Sequence, residues 1–190
     1  MRATNVIVLA GPAGAGKSSA ATLLGETRQT VVLDKDDLTS SVTESLLRAL
    51  GKPSEDRDSD VYKEQVRPLE YWVLERAAVA CAQAKIDVVI DAPFIAQLNA
   101  PEWKVSSQKL FQSCGAKLWV VWLHSAPEVR RDRLVKRACE RDNAKLANWG
   151  PEAAILPPPT SDYVLDTTTL STTQVVEKIN AIICTGPHHV

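Results

Sequence analysis

Val6-Ile7-Val8-Leu9-Ala10 runs directly into Gly11-Pro12-Ala13-Gly14-Ala15-Gly16-Lys17-Ser18-Ser19. The first five residues form a short apolar run of the kind found in a strand buried on both faces. Gly11 to Ser18 then matches G-x-x-x-x-G-K-[ST] without deviation, and a helix is expected from Lys17 to about Glu26. Small residues let successive backbone N–H groups turn inward as an anion nest at the positive end of a helix dipole. The motif therefore predicts a phosphate cradle over Gly11–Gly16 with Ser19 beside it. Lys17 would reach the β and γ phosphates of ATP, and the Ser18 hydroxyl would bind Mg²⁺.

Working outward, strands and helices alternate. Thr30–Asp34 reads as a second strand, and a helix follows from near Asp37 to Leu50. Gly51–Asp60 is a polar, Pro-containing connection expected to be mobile. Val66, Leu69, Val73, Ala77, Ala80 and Ala84 recur at three- and four-residue spacing, the apolar stripe of a long helix. Ile86–Ile90 is a third strand closed by Asp91, Pro101–Ser113 a helix, and Lys117–Leu123 a fourth strand. Ser125 and Glu128 have the spacing of a capping box for the next helix. Gly150–Pro159 is too Pro-rich to be regular. Tyr163–Asp166 and Thr173–Cys184 supply a last strand and helix. Such alternation predicts an α/β fold with a parallel sheet covered on both faces and five strands, in one domain over residues 1–184 with a loose tail at 185–190.

In an open parallel sheet, ligands sit outside the carboxyl ends of the strands. Asp91 ends the strand expected beside the first, where a carboxylate can hold a metal-bound water. Asp34, Asp36 and Asp37 end the second strand. A hydroxyl that accepts a phosphoryl group needs a carboxylate to orient it and take its proton. Asp36 is the first choice for that base, with Asp34 and Asp37 as alternatives and Asp37 the expected helix cap. Arg130, Arg133, Arg137 and Arg141 fall within ~80° of arc at about 100° per residue, so one helix face would present four guanidiniums to a polyanion. Arg67 and Tyr71 are i,i+4 neighbours that read equally as an acceptor contact or a surface pair. The tryptophans show no stacking platform interleaved with cations, and read as packing.

Composition sets the outer bounds. Of 190 residues, 45% are apolar and 24% charged, which excludes wholesale disorder. A formal net charge of −1 gives no global pull toward nucleic acid or anionic lipid, so any anion site must be local. Cys81, Cys114, Cys139 and Cys184 form no C-x-x-C pair and read as buried thiols of a reducing compartment. No apolar run reaches membrane-spanning length, and a cytoplasmic location is expected.

These landmarks together resemble the P-loop kinases, and within them the small kinases that include polynucleotide 5′-hydroxyl kinases, zeta-toxin-like and chloramphenicol-phosphotransferase-like enzymes. Asp34-Lys-Asp36-Asp37-Leu is similar to the polynucleotide-kinase segment whose first aspartate of the Asp-Asp pair is the general base, which here is Asp36. Leu134-Val-Lys-Arg137-Ala-Cys-Glu-Arg141 is similar to the lid helix of that kinase, implying Arg137 and Arg141 as clamp residues. The resemblance implies strand order 2-3-1-4-5, a mobile lid over about 127–150, and ATP with Mg²⁺. The partner it implies is a hydroxyl-bearing acceptor. Thr39 replaces a basic residue that helps such kinases hold a nucleic-acid end, so a small molecule is the favoured acceptor. The rival expectation is a nucleotide-binding ATPase or switch acting on a protein partner.

Overall fold

The computed structural model describes residues 3–139, 142–150 and 161–185. Five parallel strands, β1 (Thr4–Ala10), β2 (Val31–Asp34), β3 (Val88–Asp91), β4 (Ala116–His124) and β5 (Tyr163–Asp166), form one sheet in the order β2-β3-β1-β4-β5. The α/β class, the strand count and the order all agree with the sequence expectation. All seven residues of β1 are buried, as befits the central strand, while the edge strands β2 and β5 are only partly covered.

Eight helices lie among the described residues: α1 (Lys17–Arg28), α2 (Lys35–Ala49), α3 (Arg67–Gln83), α4 (Ile95–Leu98), α5 (Pro101–Ser113), α6 (Pro127–Arg137), α7 (Asn143–Ala147) and α8 (Thr172–Thr185). Alternation along β1 separates the two cores. Val6 and Val8 point to the layer of α3 and α5, with Leu74, Ala78 and Phe111. Ile7 and Leu9 point to α1 and α8, with Leu24, Val176 and Ile179. Among the described residues no helix is long and apolar enough to cross a membrane. Trp119 and Trp122 of β4 are buried, and Trp103 packs against Phe94, whereas Trp72 is exposed on α3. The thiols are less buried than expected: Cys81, Cys114 and Cys139 are half-buried and Cys184 is exposed.

Four local expectations are corrected. The buried face of α3 is Glu70, Tyr71, Leu74, Ala78 and Ala82, turned by roughly a third of a turn from the predicted stripe, of which only Val66, in the turn before α3, is fully buried. Leu69 is 51% exposed and Val73 39%. The inward face carries a glutamate and a tyrosine, so hydrophobicity points to the wrong side. Second, α2 starts at Lys35, not Asp37. Asp34 is its cap, accepting from the backbone N–H of Asp36 at 2.8 Å and of Asp37 at 3.1 Å. Third, no capping box forms at α6. Pro127 occupies its first turn after Ala126, and buried Ser125 instead accepts from Arg133 Nη1 at 3.4 Å. Fourth, α6 stops at Arg137 because Ala138 takes a left-handed φ of 49°. Arg141, like residues 151–160 of the Pro-rich stretch and the tail at 186–190, lies outside the described residues.

The Gly51–Asp60 connection contains a turn in which Asp56 Oδ1 accepts from the N–H of Asp58 and Ser59 at 3.1 and 3.0 Å. It ends in one π-helical turn, Tyr62–Val66, which feeds directly into α3. Tyr62 and Val66 close a small third core with Leu47 of α2.

The rotation of α3 is testable by denaturation. Leu74→Ala should cost about 2–5 kcal/mol, the range for a buried leucine. Val73→Ala, the adjacent residue of the predicted stripe, should stay within about 0.5 kcal/mol of the parent in the same urea titration.

Candidate active site

Three strands end in acids at one edge of the sheet: Asp34 on β2, Asp91 on β3 and Asp166 on β5. Asp34 stands opposite Asp91 in the β2–β3 register, and Asp91 stands opposite Leu9, two residues before Gly11. A cavity of about 540 Å³ opens here. Its lining includes Gly16, Lys17 and Ser18 from the P-loop, Asp36 and Asp91 from the strand ends, and Arg137 from α6. Ala13, Gly14, Ser19, Asp34 and Arg133 also reach this cavity, whereas Asp37, Arg67, Tyr71 and Arg130 do not line it.

The loop's shape depends on two close approaches. Gly11, at φ +138°, lies where an added Cβ would stand 2.1 Å from the Leu123 carbonyl oxygen. At Gly14, with φ +78°, a Cβ would stand 2.7 Å from that of Arg130. Neither position admits a side chain without moving backbone. The outward carbonyls are each engaged. Pro12 O accepts from Lys17 Nζ at 3.1 Å, Ala13 O from Arg130 Nε at 3.0 Å, and Gly14 O from Arg133 Nη1 at 3.2 Å. The Thr167 hydroxyl lies 2.9 Å from Ala15 O and 3.0 Å from His124 O, its single proton serving one at a time, and accepts from Arg133 Nη1 at 3.1 Å. Gly11 N–H itself donates to Pro93 O at 3.1 Å.

The arginine face thus divides. Arg130 is buried under the loop with its guanidinium 5.3 Å from the Trp149 ring, and burial lowers its pKa from the usual value. Arg133 braces both the loop and the end of β5, donating from Nη2 to Thr167 O at 2.7 Å. Arg137 faces the cavity but is ion-paired with buried Asp142, Nε to Oδ2 at 2.8 Å. Thr167 and Lys136, both lining the cavity, escaped the sequence reading. A hydroxyl residue directly after the last strand, and a second cation next to Arg137, were the available signals.

Asp91 is almost wholly buried, and burial pushes its carboxyl above the usual range. Neighbouring Asp34 pushes the same way, against the pull of Lys17 and of the Ser18 hydroxyl. Its Oδ2 has no hydrogen-bond partner among the described residues. A buried, unsatisfied carboxylate oxygen beside a hydroxyl is the donor set a hard divalent cation takes while keeping water and phosphate oxygens. No cluster of three or more acidic, His or Cys ligands exists among the described residues, so Ser18 and Asp91 would hold such an ion only together with phosphate.

On the β2 side of the cavity, Asp36 carries a half-exposed carboxylate whose Oδ1 is 3.0 Å from Lys35 Nζ. Tyr71, predicted as a surface or acceptor contact, is buried in the core. Its hydroxyl oxygen accepts from Phe94 N–H at 3.2 Å, and burial raises its pKa far above the ordinary range. Arg67, half-buried in the first turn of α3, and Asp36 both lie within electrostatic range of that phenol.

A family profile described as an AAA domain matches residues 6–159. No curated protein matches the sequence. Solved structures share the fold at low identity. An APS kinase of Mycobacterium tuberculosis, in complex with AMPPNP and APS, aligns with TM-score 0.60 and 17% identity, covering 96% of this chain and 99% of that chain. A sugar kinase of Janibacter sp. gives 0.63 and 18%, covering 98% and 97%. A gluconokinase of Sinorhizobium meliloti gives 0.59 and 18%, covering 97% and 94%.

The buried acid gives a pH signature. A carboxyl whose pKa is higher folded than unfolded favours folding below its unfolded value of about 3.9, and that contribution is lost as pH climbs through the folded value. Without nucleotide or divalent cation, Asp91→Asn should therefore be more stable than the parent at neutral pH. The gap should close as pH falls toward about 4 in a series of urea titrations.

Proposed function

The chain belongs to the AAA domain family, and on that premise we propose that it is a P-loop kinase, moving the γ-phosphoryl group of Mg-ATP to a hydroxyl of a small molecule. The observation that carries this reading is one cavity holding both a phosphate cradle and the Asp36 carboxylate. A site that only bound a nucleotide has no need of a lysine-braced carboxylate across from the cradle; one that passes the phosphoryl group to a nucleophile does. A nucleic-acid end is the less favoured acceptor, because the chain is near neutral overall.

In this reading Gly11–Ser19 bind the phosphates, Lys17 stabilises the transferring group, and Ser18 and Asp91 hold Mg²⁺. The bound cation supplies neutralisation of phosphate charge. Asp36 accepts the proton of the acceptor hydroxyl as its oxygen bonds to the γ-phosphorus, and the bond from that phosphorus to the bridging oxygen breaks to release ADP. Within the expected lid at about 127–150, the last turn of α6 brings Arg137 to the equatorial oxygens of the transition state once Asp142 gives it up, while its first two turns stay docked on the loop; Arg141, the expected second cation, lies outside the described residues. Arg133 braces the cradle, with Arg130 beneath it. Asp34 holds the turn that presents Asp36.

The test is a transfer screen with γ-labelled Mg-ATP against nucleosides, sugars, aminoglycosides and 5′-hydroxyl oligonucleotides. Label should move to one class, and Asp36→Asn should lower kcat by ~10²–10⁴-fold, the range for a general base, with ATP binding nearly intact. Lys17→Ala should abolish turnover. Label released only as free phosphate, whatever the acceptor, would favour the ATPase switch instead.

A further inference from the structure

We infer that Lys35 and Glu70 are a positioning couple that fixes the Asp36 carboxylate at the cavity wall, an inference that rests on the phosphotransfer reading above. Lys35 occupies the inward row of α2 with Thr39, Thr43 and Leu47, all buried, and is itself only 9% exposed. A lysine there is costly unless its ammonium is fully engaged. Its Nζ lies 3.0 Å from Asp36 Oδ1 and 3.1 Å from Glu70 Oε2. Neighbours on a helix point about 100° apart, so Asp36 is turned toward the cavity while the long stem of Lys35 lets its amine return to it from inside.

Glu70 is the fixed end of this chain of contacts. It is 3% exposed on the inner face of α3. Its Oε2 also accepts from the Tyr62 hydroxyl at 2.8 Å, and its Oε1 from Thr43 Oγ1 at 2.8 Å. Burial, and then the charge of Glu70, hold the Tyr62 hydroxyl protonated, so it remains a donor. Donors from α2 and from the π-helical turn therefore pin one carboxylate, which pins one ammonium, which holds one oxygen of an exposed carboxylate. Asp36, with a side chain 39% exposed, is the most exposed member of the network; Lys35 also reaches the cavity wall, and Glu70, Thr43 and Tyr62 lie behind it. Its backbone is held separately, by Asp34 Oδ1.

Stability alone accounts poorly for the arrangement, because a buried ion pair is often no better than apolar residues of the same volume. A network running from the interior to a candidate base instead fixes where that base's second oxygen points, and a small error in such geometry is enough to slow a reaction.

The test is a mutant cycle on phosphoryl transfer, using the acceptor that takes label from Mg-ATP in the parent protein. Lys35→Met with Glu70→Gln removes both charges together. The amide oxygen still accepts from one of Thr43 and Tyr62, and the other hydroxyl can turn to accept from the amide N–H, so the fold stands; a thermal melt checks this. That pair should lower kcat by ~10–100-fold with the KM for ATP within about twofold, and should lower it no further when Asp36→Asn is already present. Unchanged kcat in the paired variant overturns the inference, and so does a loss that multiplies with that of Asp36→Asn. A parent protein that labels no acceptor overturns the phosphotransfer reading instead, and the inference falls with it.

Discussion

A loop that curls its amides toward one point must turn its carbonyls outward, and those carbonyls need donors. Here every carbonyl from Pro12 to Gly16 has one, drawn from Lys17 and Ala15, Arg130, Arg133, Thr167 and Ala20 in turn. A buried carbonyl left without a partner costs about 1–3 kcal/mol, so these engagements hold the cradle's curvature. They also explain why α6 lies where it does. Its first two turns are docked on the loop through Arg130 and Arg133, the latter also reaching the cavity, and its last turn, with Lys136 and Arg137, faces both the cavity and solvent.

Charge is layered in the same way. The cavity brings cations of the P-loop and α6 against acids at the ends of β2 and β3. Asp91, buried between Lys17 and Asp34, is the least comfortable of these groups, with one oxygen unsatisfied. Such a group is tolerated where a ligand will complete it, and local strain of this kind concentrates at functional sites. Asp36 is the opposite case, an acid held by a lysine whose own position is fixed from the interior.

Most of the fold was legible because it rests on period and punctuation. Apolar runs alternate with helical stretches through the chain, and that rhythm admits few architectures. What escaped was the facing of elements whose buried side is polar. The stripe of Leu69 and Val73 outscores Glu70 and Tyr71 in hydrophobicity, yet Glu70 goes inside because Lys35, Thr43 and Tyr62 satisfy it. That compensation lies in α2 and the π-helical turn and leaves no mark on α3 itself. Likewise the cluster Asp34, Asp36 and Asp37 could be seen, but the division into a cap, a cavity carboxylate and an exposed neighbour depends on where the helix begins. The arginine series was visible as a face. Its separation into loop braces and a cavity-facing residue needed the partners Ala13, Gly14, Thr167 and Asp142.

The bracing of the loop bears on the order in which the protein can take shape. The glycine-rich motif is complete by Ser18, but the donors that shape it come much later in the chain. Arg130 and Arg133 lie more than a hundred positions downstream, and the Thr167 hydroxyl arrives 152 positions after Ala15, following the last strand. Contacts so distant in sequence form late, since closing long loops costs chain entropy before the contacts repay it. The nascent chain therefore carries the local motif long before it has an ordered anion site. Competence to hold a nucleotide becomes a property of the finished sheet, so a truncated or partly folded chain would not trap one.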